Sequence, residues 1–149
     1  MSPSSPGTDA PQLQDALHPC VQLLLELWDD LNSVFAQHGS DTRCMERLCR
    51  CYKHTARNCG AAFQALLPRL LPQMVGWFEQ RPHSCFLYVA NVCIANYGNE
   101  PTLLPLFADS FTRMATSTFQ LLRAAPIAEH PDIVDDYFEL ASKVRAWFG

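Results

Sequence analysis

The chain has 149 residues, of which 48% are hydrophobic and 17% are charged, so it is long enough for one modest domain with a real core. Its formal net charge is −4, whereas a chain that binds DNA or RNA is more often basic, so we expect no direct contact with nucleic acid. No apolar run approaches the roughly 20 residues of a membrane span, so no membrane contact is expected either.

The first residues and the cysteines predict the compartment. Residues 1–11 (MSPSSPGTDAP) are rich in Pro and Ser, which predicts a disordered leader that lacks the apolar core of a signal peptide. The chain has 7 Cys, an odd number, and no secretory signal precedes them. We therefore expect these cysteines to be reduced, intracellular and mostly buried.

Residues 12–149 predict one helix after another, because apolar residues recur at helical spacing and no segment shows the sustained alternation of a strand. Pro68 and Pro72 divide the third helical region, so a short piece should precede a helix from about Pro68 or Arg69 to Phe78. We predict helices over about 19–37, 42–58, 61–80, 84–97, 103–122 and 130–148.

These helices fall into pairs, over about 19–58, 61–97 and 101–148, and each pair is close to the roughly 40–47 residues of a HEAT or armadillo unit. We therefore predict an all-α fold, a fragment of a HEAT-repeat α-solenoid with about three helix pairs. A four-helix bundle with extra helices is the competing architecture. The solenoid also predicts exposed apolar residues on the first and last helices, and Trp147 and Phe148 fit this expectation.

One face of the predicted second helix carries a row of positive charge. At about 100° per residue, four arginines fall within roughly 40° of one direction, and they form what we call the arginine stripe: Arg43, Arg47, Arg50 and Arg57. His54 lies among them and Lys53 lies just beside them. The opposite side of the helix is expected to be the apolar one, and it carries Cys44, Leu48, Cys51, Tyr52 and Cys59.

Guanidinium groups about one turn apart suit an extended polyanion, because each planar fork can hold a phosphate or a carboxylate through two hydrogen bonds. A solvated charged face is the alternative interpretation. A solvated helix normally mixes signs, however, and Glu46 is the only acid between Arg43 and Arg57. Because a charged imidazole is disfavoured among arginines, we expect His54 to be a neutral surface donor.

Metal binding and catalysis find little support in the sequence. Four cysteines crowd one segment, but their spacings differ from the paired C-x2-C of a structural zinc site: Cys44, Cys49, Cys51 and Cys59. The 5 His residues are scattered, and none has a Cys or Asp neighbour at a spacing typical of a catalytic pair. No Gly-rich phosphate loop is present. We therefore predict no metal, no cofactor and no enzymatic activity.

Seven short segments, in order along more than 100 residues, carry a resemblance to a known family. They are His18–Cys20, Arg43-x3-Arg47-x-Cys49-Arg50-Cys51, Leu70–Val75, His83–Tyr88, Tyr97–Gly98, Thr118–Leu122 and His130–Asp136. Together they resemble the importin-β superfamily of nuclear import receptors, and within it the transportin-SR type, which imports SR splicing factors.

The resemblance implies a HEAT-repeat solenoid whose arginine-rich helix grips the phosphorylated Arg-Ser (RS) domain of SR-type protein cargo. The arginine stripe matches that helix. Lys53 occupies a further position that is basic in the family pattern, and there lysine provides the charge without the bidentate fork of an arginine. The resemblance also implies shuttling between nucleus and cytoplasm. Contacts with the GTPase Ran and with nucleoporins are implied only for the full-length family member.

Length is where the chain departs from the family, whose members are several times longer. We expect the chain to correspond to about three repeats from the C-terminal half of such a receptor. Two alternatives to cargo binding therefore stay open. The first is a structural helical-repeat scaffold that binds proteins without any dependence on phosphate, and the second is a truncated receptor without function.

Overall fold

The computed structural model describes residues 18–148, so the predicted leader over residues 1–11 lies outside the described part. All regular structure within 18–148 is helical, as predicted, and it comprises seven α-helices and three 3₁₀ segments. The α-helices are α1 (Pro19–Glu26), α2 (Trp28–His38), α3 (Thr42–Asn58), α4 (Leu67–Gln80), α5 (Ser84–Tyr97), α6 (Leu104–Ala124) and α7 (Pro131–Phe148). The 3₁₀ segments are Gly60–Leu66, Pro101–Leu103 and Ile127–Glu129. No described helix is long and apolar enough to cross a membrane.

Local chemistry explains where the helix with the arginine stripe begins and ends. The side chain of Asp41 accepts a hydrogen bond from the backbone N–H of Cys44 (3.1 Å), which satisfies one free donor at the start of α3. At the other end, Gly60 has φ of +56°, a conformation that other residues rarely adopt, and the chain turns there into a 3₁₀ segment. Helix α3 therefore spans the 17 residues that the sequence predicts.

Two helical regions differ in detail from the prediction. The first predicted helix is two helices, because the backbone at Leu27 leaves the α conformation (φ −91°, ψ 7°) between α1 and α2. In the third region, the short piece is the 3₁₀ segment Gly60–Leu66, and α4 follows it from Leu67. Pro72 lies within α4, where its ring removes one hydrogen bond without ending the helix.

The helices are packed in two layers. Helices α3, α5 and α7 lie side by side in one layer, while α4 and α6 pack against each other and against the α5–α7 side of it. Hydrogen bonds at both ends show that α3 and α5 run parallel. At their starts, His83 Nε2 lies 2.6 Å from the Gly39 carbonyl oxygen, and at their ends the Tyr97 hydroxyl donates to the Ala56 carbonyl (2.7 Å). This arrangement is that of stacked helix pairs, as the solenoid prediction requires.

Helix α5 is the centre of the core, since it contacts α3, α4, α6 and α7. Its β-branched segment Val89–Ile94 is almost fully buried on all sides, so tertiary packing holds a helix there despite a sequence rich in strand-forming residues. Phe86 of α5 is fully buried, as are Phe78 of α4 and Phe107 of α6. The core thus places α3 and α7 on the two sides of α5.

Large apolar side chains are exposed mainly toward the two ends of the described chain. Leu23 and Leu27 are 54% and 38% exposed, and Phe138 on α7 is 63% exposed. Trp147 and Phe148 are 44% and 40% exposed. Exposed apolar residues on the first and last helices are what a piece of a repeat stack predicts.

Candidate functional site

The arginine stripe lies on the solvent-facing side of α3. Arg43, Arg47, Arg50 and Arg57 are all exposed, and His54 between them is exposed as well, whereas Lys53 is half-buried. The buried residues of α3 point in the opposite direction: Met45, Leu48, Cys49, Tyr52 and Ala56. The structure therefore brings all four arginines and His54 to one open face, with Lys53 at its edge.

Two details of the predicted apolar face are wrong. Cys51 is exposed and Cys44 is only half-buried, because both lie toward the margins of the buried face. The buried cysteine of mid-helix is Cys49, which the prediction had left out of the apolar face. More generally, Cys49, Cys59 and Cys93 are the buried ones among the 7 cysteines, so the expectation of mostly buried cysteines is wrong as well.

Three guanidinium groups of the stripe are free of protein partners. Within residues 18–148, Arg43, Arg47 and Arg50 make no hydrogen bond or salt bridge, and the salt bridge in this part of the chain joins Arg113 to Glu79 (2.6 Å). Free guanidinium groups keep all their donors available to a ligand. A ligand would therefore not have to break an internal ion pair in order to bind them.

The C-terminal end of the stripe is different, because two basic side chains converge there on Tyr88 of α5. Arg57 Nη2 donates to the Tyr88 hydroxyl (3.0 Å), and its guanidinium carbon lies 6.0 Å from the ring centroid. Lys53 Nζ lies 5.4 Å from the same centroid. Cation–π attraction and one hydrogen bond thus hold Arg57 and Lys53 toward α5 and limit their freedom.

A shallow groove lies over α5, between the arginine stripe on α3 and helix α7. One stretch is lined by Arg50 and Lys53 from α3, Tyr88 from α5 and Asp136 from α7. The next stretch continues from Arg57 past Tyr88 to Glu139 and Lys143 on α7. The α3 side of the groove is therefore mainly basic, with Glu46 as its one acid, and the α7 side carries both signs of charge.

Asp136 on the acidic side is electrostatically unusual. Burial raises the pKa of its carboxyl from 3.8 to about 6, and the nearby carboxylate of Asp132 acts in the same direction. The Ser84 side chain offsets part of this effect. A half-buried carboxyl of this kind gains from a cationic partner, and the free chain does not give it a salt bridge within the described residues.

Sequence reasoning missed the residues that complete the groove. Tyr88, Asp136 and Glu139 come from helices that follow α3 by tens of residues, so only the packing of α5 and α7 brings them beside the stripe. The signal available for Asp136 was the acidic run at the start of α7. For Tyr88 the sequence offered no signal beyond its place in an apolar helix.

A second group of polar side chains lies at the C-terminal end of α3. Cys59 Sγ lies 3.4 Å from Nδ1 of His18, and the same nitrogen accepts the backbone N–H of Cys20 (3.1 Å). The prediction had grouped Cys59 with the other cysteines of α3, which do not meet it in the structure.

Comparison with known proteins shows the family to which the chain is related. Residues 18–122 match the family model described as the fourth TPR domain of transportin-3 and importin-13. The chain belongs to the transportin-3/importin-13 family. The matched residues contain α3 with the whole arginine stripe and α5 with Tyr88, and they end within α6, whereas Asp136 and Glu139 lie beyond them. Membership confirms the resemblance to importin-β-type receptors that the sequence motifs predict.

Individual relatives of the transportin-3/importin-13 family agree with this placement. Transportin MOS14 of Arabidopsis thaliana is 28% identical over 117 residues, which are 78% of this chain and 12% of that protein. Importin-13 of Rattus norvegicus is 21% identical over 126 residues, which are 85% of this chain and 13% of that protein. An uncharacterised protein of Schizosaccharomyces pombe is 28% identical over 129 residues, 83% of this chain and 13% of that protein. The chain thus spans about an eighth of the length of these relatives.

Proposed function

We propose that this chain is a cargo-binding segment of an importin-β-type nuclear import receptor, and that its arginine stripe binds phosphorylated Arg-Ser repeats of SR-type cargo. The observation that carries the proposal is the row of exposed, unpaired guanidinium groups on α3, directly opposite the buried face of that helix. Family membership and the relatives' names, transportin and importin, supply the transport context. The proposal includes shuttling between nucleus and cytoplasm, and it leaves Ran and nucleoporin contacts to other parts of a full-length receptor.

The dimensions of the stripe fit such a ligand. Arg43 and Arg57 are 14 residues apart on one helix, which corresponds to about 21 Å along its axis. An extended peptide covers about 3.3 Å per residue, so the stripe matches about six residues, or three Arg-Ser dipeptides. Phosphoserines at alternate positions are then about 6.6 Å apart, close to the roughly 5.4 Å of one helical turn. Successive phosphates can therefore meet Arg43, Arg47 and Arg50 without a change of direction, while Arg57 lies about two turns beyond Arg50.

The arginine stripe and the groove beside it together suit both halves of the repeat. A phosphoserine carries a charge of about −1.5 to −2 and three strong acceptors, which match the bidentate donors of Arg43, Arg47 and Arg50. The arginines of the same peptide need acceptors, and Asp136 and Glu139 lie across the groove from the stripe. His54 adds a hydrogen-bonding group on the same face, and Lys53 adds a point charge at its edge.

Arg57 has a separate role in this proposal. Its Nη2 is engaged by Tyr88, and its remaining N–H groups stay available because guanidinium offers five donors. Tyr88 therefore holds Arg57 in place for a phosphate, which lowers the side-chain entropy lost on binding.

A titration with a synthetic Arg-Ser peptide, phosphorylated or not, tests the proposal. Each exposed charge-assisted contact contributes about 1 kcal/mol, so replacing three arginines by alanine should weaken phosphopeptide binding by about 3 kcal/mol, or about 100-fold. The variant is Arg43→Ala/Arg47→Ala/Arg50→Ala. Its matched control removes three exposed arginines elsewhere: Arg69→Ala/Arg81→Ala/Arg123→Ala.

The control variant should bind as the unmodified chain does. Equal affinity for the two peptides would instead favour a helical-repeat scaffold that does not depend on phosphate, to which the exposed Phe138 and Trp147 would contribute. Failure of the unmodified chain to bind either peptide would favour a truncated receptor without function.

A further inference from the structure

Three side chains that ligate metals meet at the end of the molecule where α1 begins and α3 ends. His18 and Cys20 flank the first residue of α1, and Cys59 follows the last residue of α3. Their ligand atoms all lie within 4.8 Å of one another, and within residues 18–148 no other group of three His, Cys, Asp or Glu residues is as close. Cys59 is buried, His18 half-buried and Cys20 exposed, so the group is open to solvent on one side.

The spacing of these atoms fits a tetrahedral ion. Zinc binds thiolate sulfur at about 2.3 Å and imidazole nitrogen at about 2.0–2.1 Å, which sets the nitrogen–sulfur edge of a tetrahedron at about 3.5 Å. The observed distance between His18 Nδ1 and Cys59 Sγ is 3.4 Å. Two thiolates and one imidazole are ligands that zinc prefers, whereas Mg²⁺ and Ca²⁺ prefer oxygen.

We propose that His18, Cys20 and Cys59 form a Zn²⁺ site with three protein ligands and a water molecule in the fourth position. On binding, the two thiols release their protons to solvent, and the two thiolates balance the charge of the ion. His18 ligates through Nδ1 as a neutral imidazole. In the metal-free chain the backbone N–H of Cys20 donates a hydrogen bond to His18 Nδ1. When the metal binds, this N–H donates to water instead, because the start of α1 is exposed.

The ion would join two elements that otherwise meet through few buried side chains. Val21 and Leu24 are the buried residues of α1. A bond network from Cys20 to Cys59 closes a long loop, from the start of α1 to the end of α3, and so stabilises the docking of α1. Because a ligand that binds only the folded state stabilises it, zinc should raise the melting temperature of the chain by several degrees.

The sequence alone predicts no metal site, because the cysteines that crowd α3 lack the spacing of structural zinc ligands. Those cysteines point to different sides of the helix, while His18 and Cys20 come from a separate helix start. The proposed ligand set is therefore one that only the fold brings together.

Cobalt substitution of the full 149-residue chain tests the proposal. The reduced, metal-free protein is titrated with Co²⁺, which reports tetrahedral thiolate ligation by intense visible d–d bands and a sulfur-to-cobalt charge-transfer band. We expect saturation at one Co²⁺ per chain and displacement by Zn²⁺. Cys20→Ser and His18→Asn should each abolish or strongly weaken the bands, and Asn is chosen because it keeps a side chain that caps the start of α1.

Cys51→Ser is the matched control, because Cys51 is an exposed cysteine outside the cluster, and it should leave the spectrum unchanged. Circular dichroism confirms that each variant folds, and zinc should raise the melting temperature of the unmodified chain but not of Cys20→Ser. Octahedral cobalt spectra, or bands of undiminished intensity in Cys20→Ser, would overturn the proposal. Ready formation of a Cys20–Cys59 disulfide in a chain that binds no cobalt would overturn it as well and identify a redox pair instead.

Discussion

Replacing three arginines of the stripe by lysine separates the geometry of their guanidinium groups from their charge. The variant is Arg43→Lys/Arg47→Lys/Arg50→Lys. All three side chains are exposed and unpaired within residues 18–148, and lysine and arginine have similar helix propensities, so the free energy of unfolding should change by less than about 0.5 kcal/mol. Any change in binding then reports on the ligand.

The expected loss of affinity follows from the contacts available. Three bidentate contacts at about 1 kcal/mol each would contribute about 3 kcal/mol, and lysine keeps the charge while losing the second hydrogen bond. We therefore expect phosphopeptide binding about 10-fold weaker than that of the unmodified chain, midway to the loss of about 100-fold for the alanine variant.

Isothermal titration at fixed ionic strength measures both variants against one phosphorylated Arg-Ser peptide. The matched control carries Arg69→Lys/Arg81→Lys/Arg123→Lys, three exposed arginines outside the stripe, and should bind as the unmodified chain does. Full affinity in the stripe lysine variant would refute bidentate recognition, because charge alone would then suffice.

Three further predictions concern salt, pH and packing. Phosphopeptide affinity should fall steeply as salt rises, because the Debye length shrinks from about 10 Å at 0.1 M to about 3 Å at 1 M, and a flat titration series would contradict a charge-based site. Asp136→Asn should stabilise the chain at pH 7. The pKa of the Asp136 carboxyl is about 6 in the folded chain and 3.8 in the unfolded chain, so its ionisation destabilises the fold increasingly as pH rises from about 4 to 6. The gain, about 1 kcal/mol after allowance for solvent screening of this half-buried group, should vanish near pH 4 in denaturant titrations. Gly98→Ala should destabilise by about 1–3 kcal/mol, because its Cβ would lie 2.6 Å from Trp147 Nε1 and 2.5 Å from the Ile94 carbonyl oxygen, and an unchanged melting temperature would contradict this packing.

The helix bounds were predictable where local chemistry sets them. Asp41 and Gly60 bracket α3, and Ser84–Tyr97 ends before Gly98, so short-range signals were sufficient for both helices. The break at Leu27 was not predictable, because an apolar stripe continues through it and no Gly or Pro marks it.

The exposed stripe was predictable as well, because one helix carries all four arginines and helical periodicity fixes their common face. Contacts between helices were not. The approach of Arg57 to Tyr88, the position of Asp136 across the groove and the meeting of His18 with Cys59 depend on how the helices pack, and single-sequence patterns do not encode that packing.

A measurement of the coupling free energy between the phosphates of the ligand and the arginine stripe is the most direct test of the proposed function. Affinities for phosphorylated and unphosphorylated Arg-Ser peptide are measured with the unmodified chain and with Arg43→Ala/Arg47→Ala/Arg50→Ala, which completes a thermodynamic cycle. We predict that the unmodified chain strongly prefers the phosphopeptide and that the variant, with its helical circular dichroism intact, loses most of this preference. A preference for phosphate of the same size in both proteins would contradict the account, because the phosphates would then bind elsewhere.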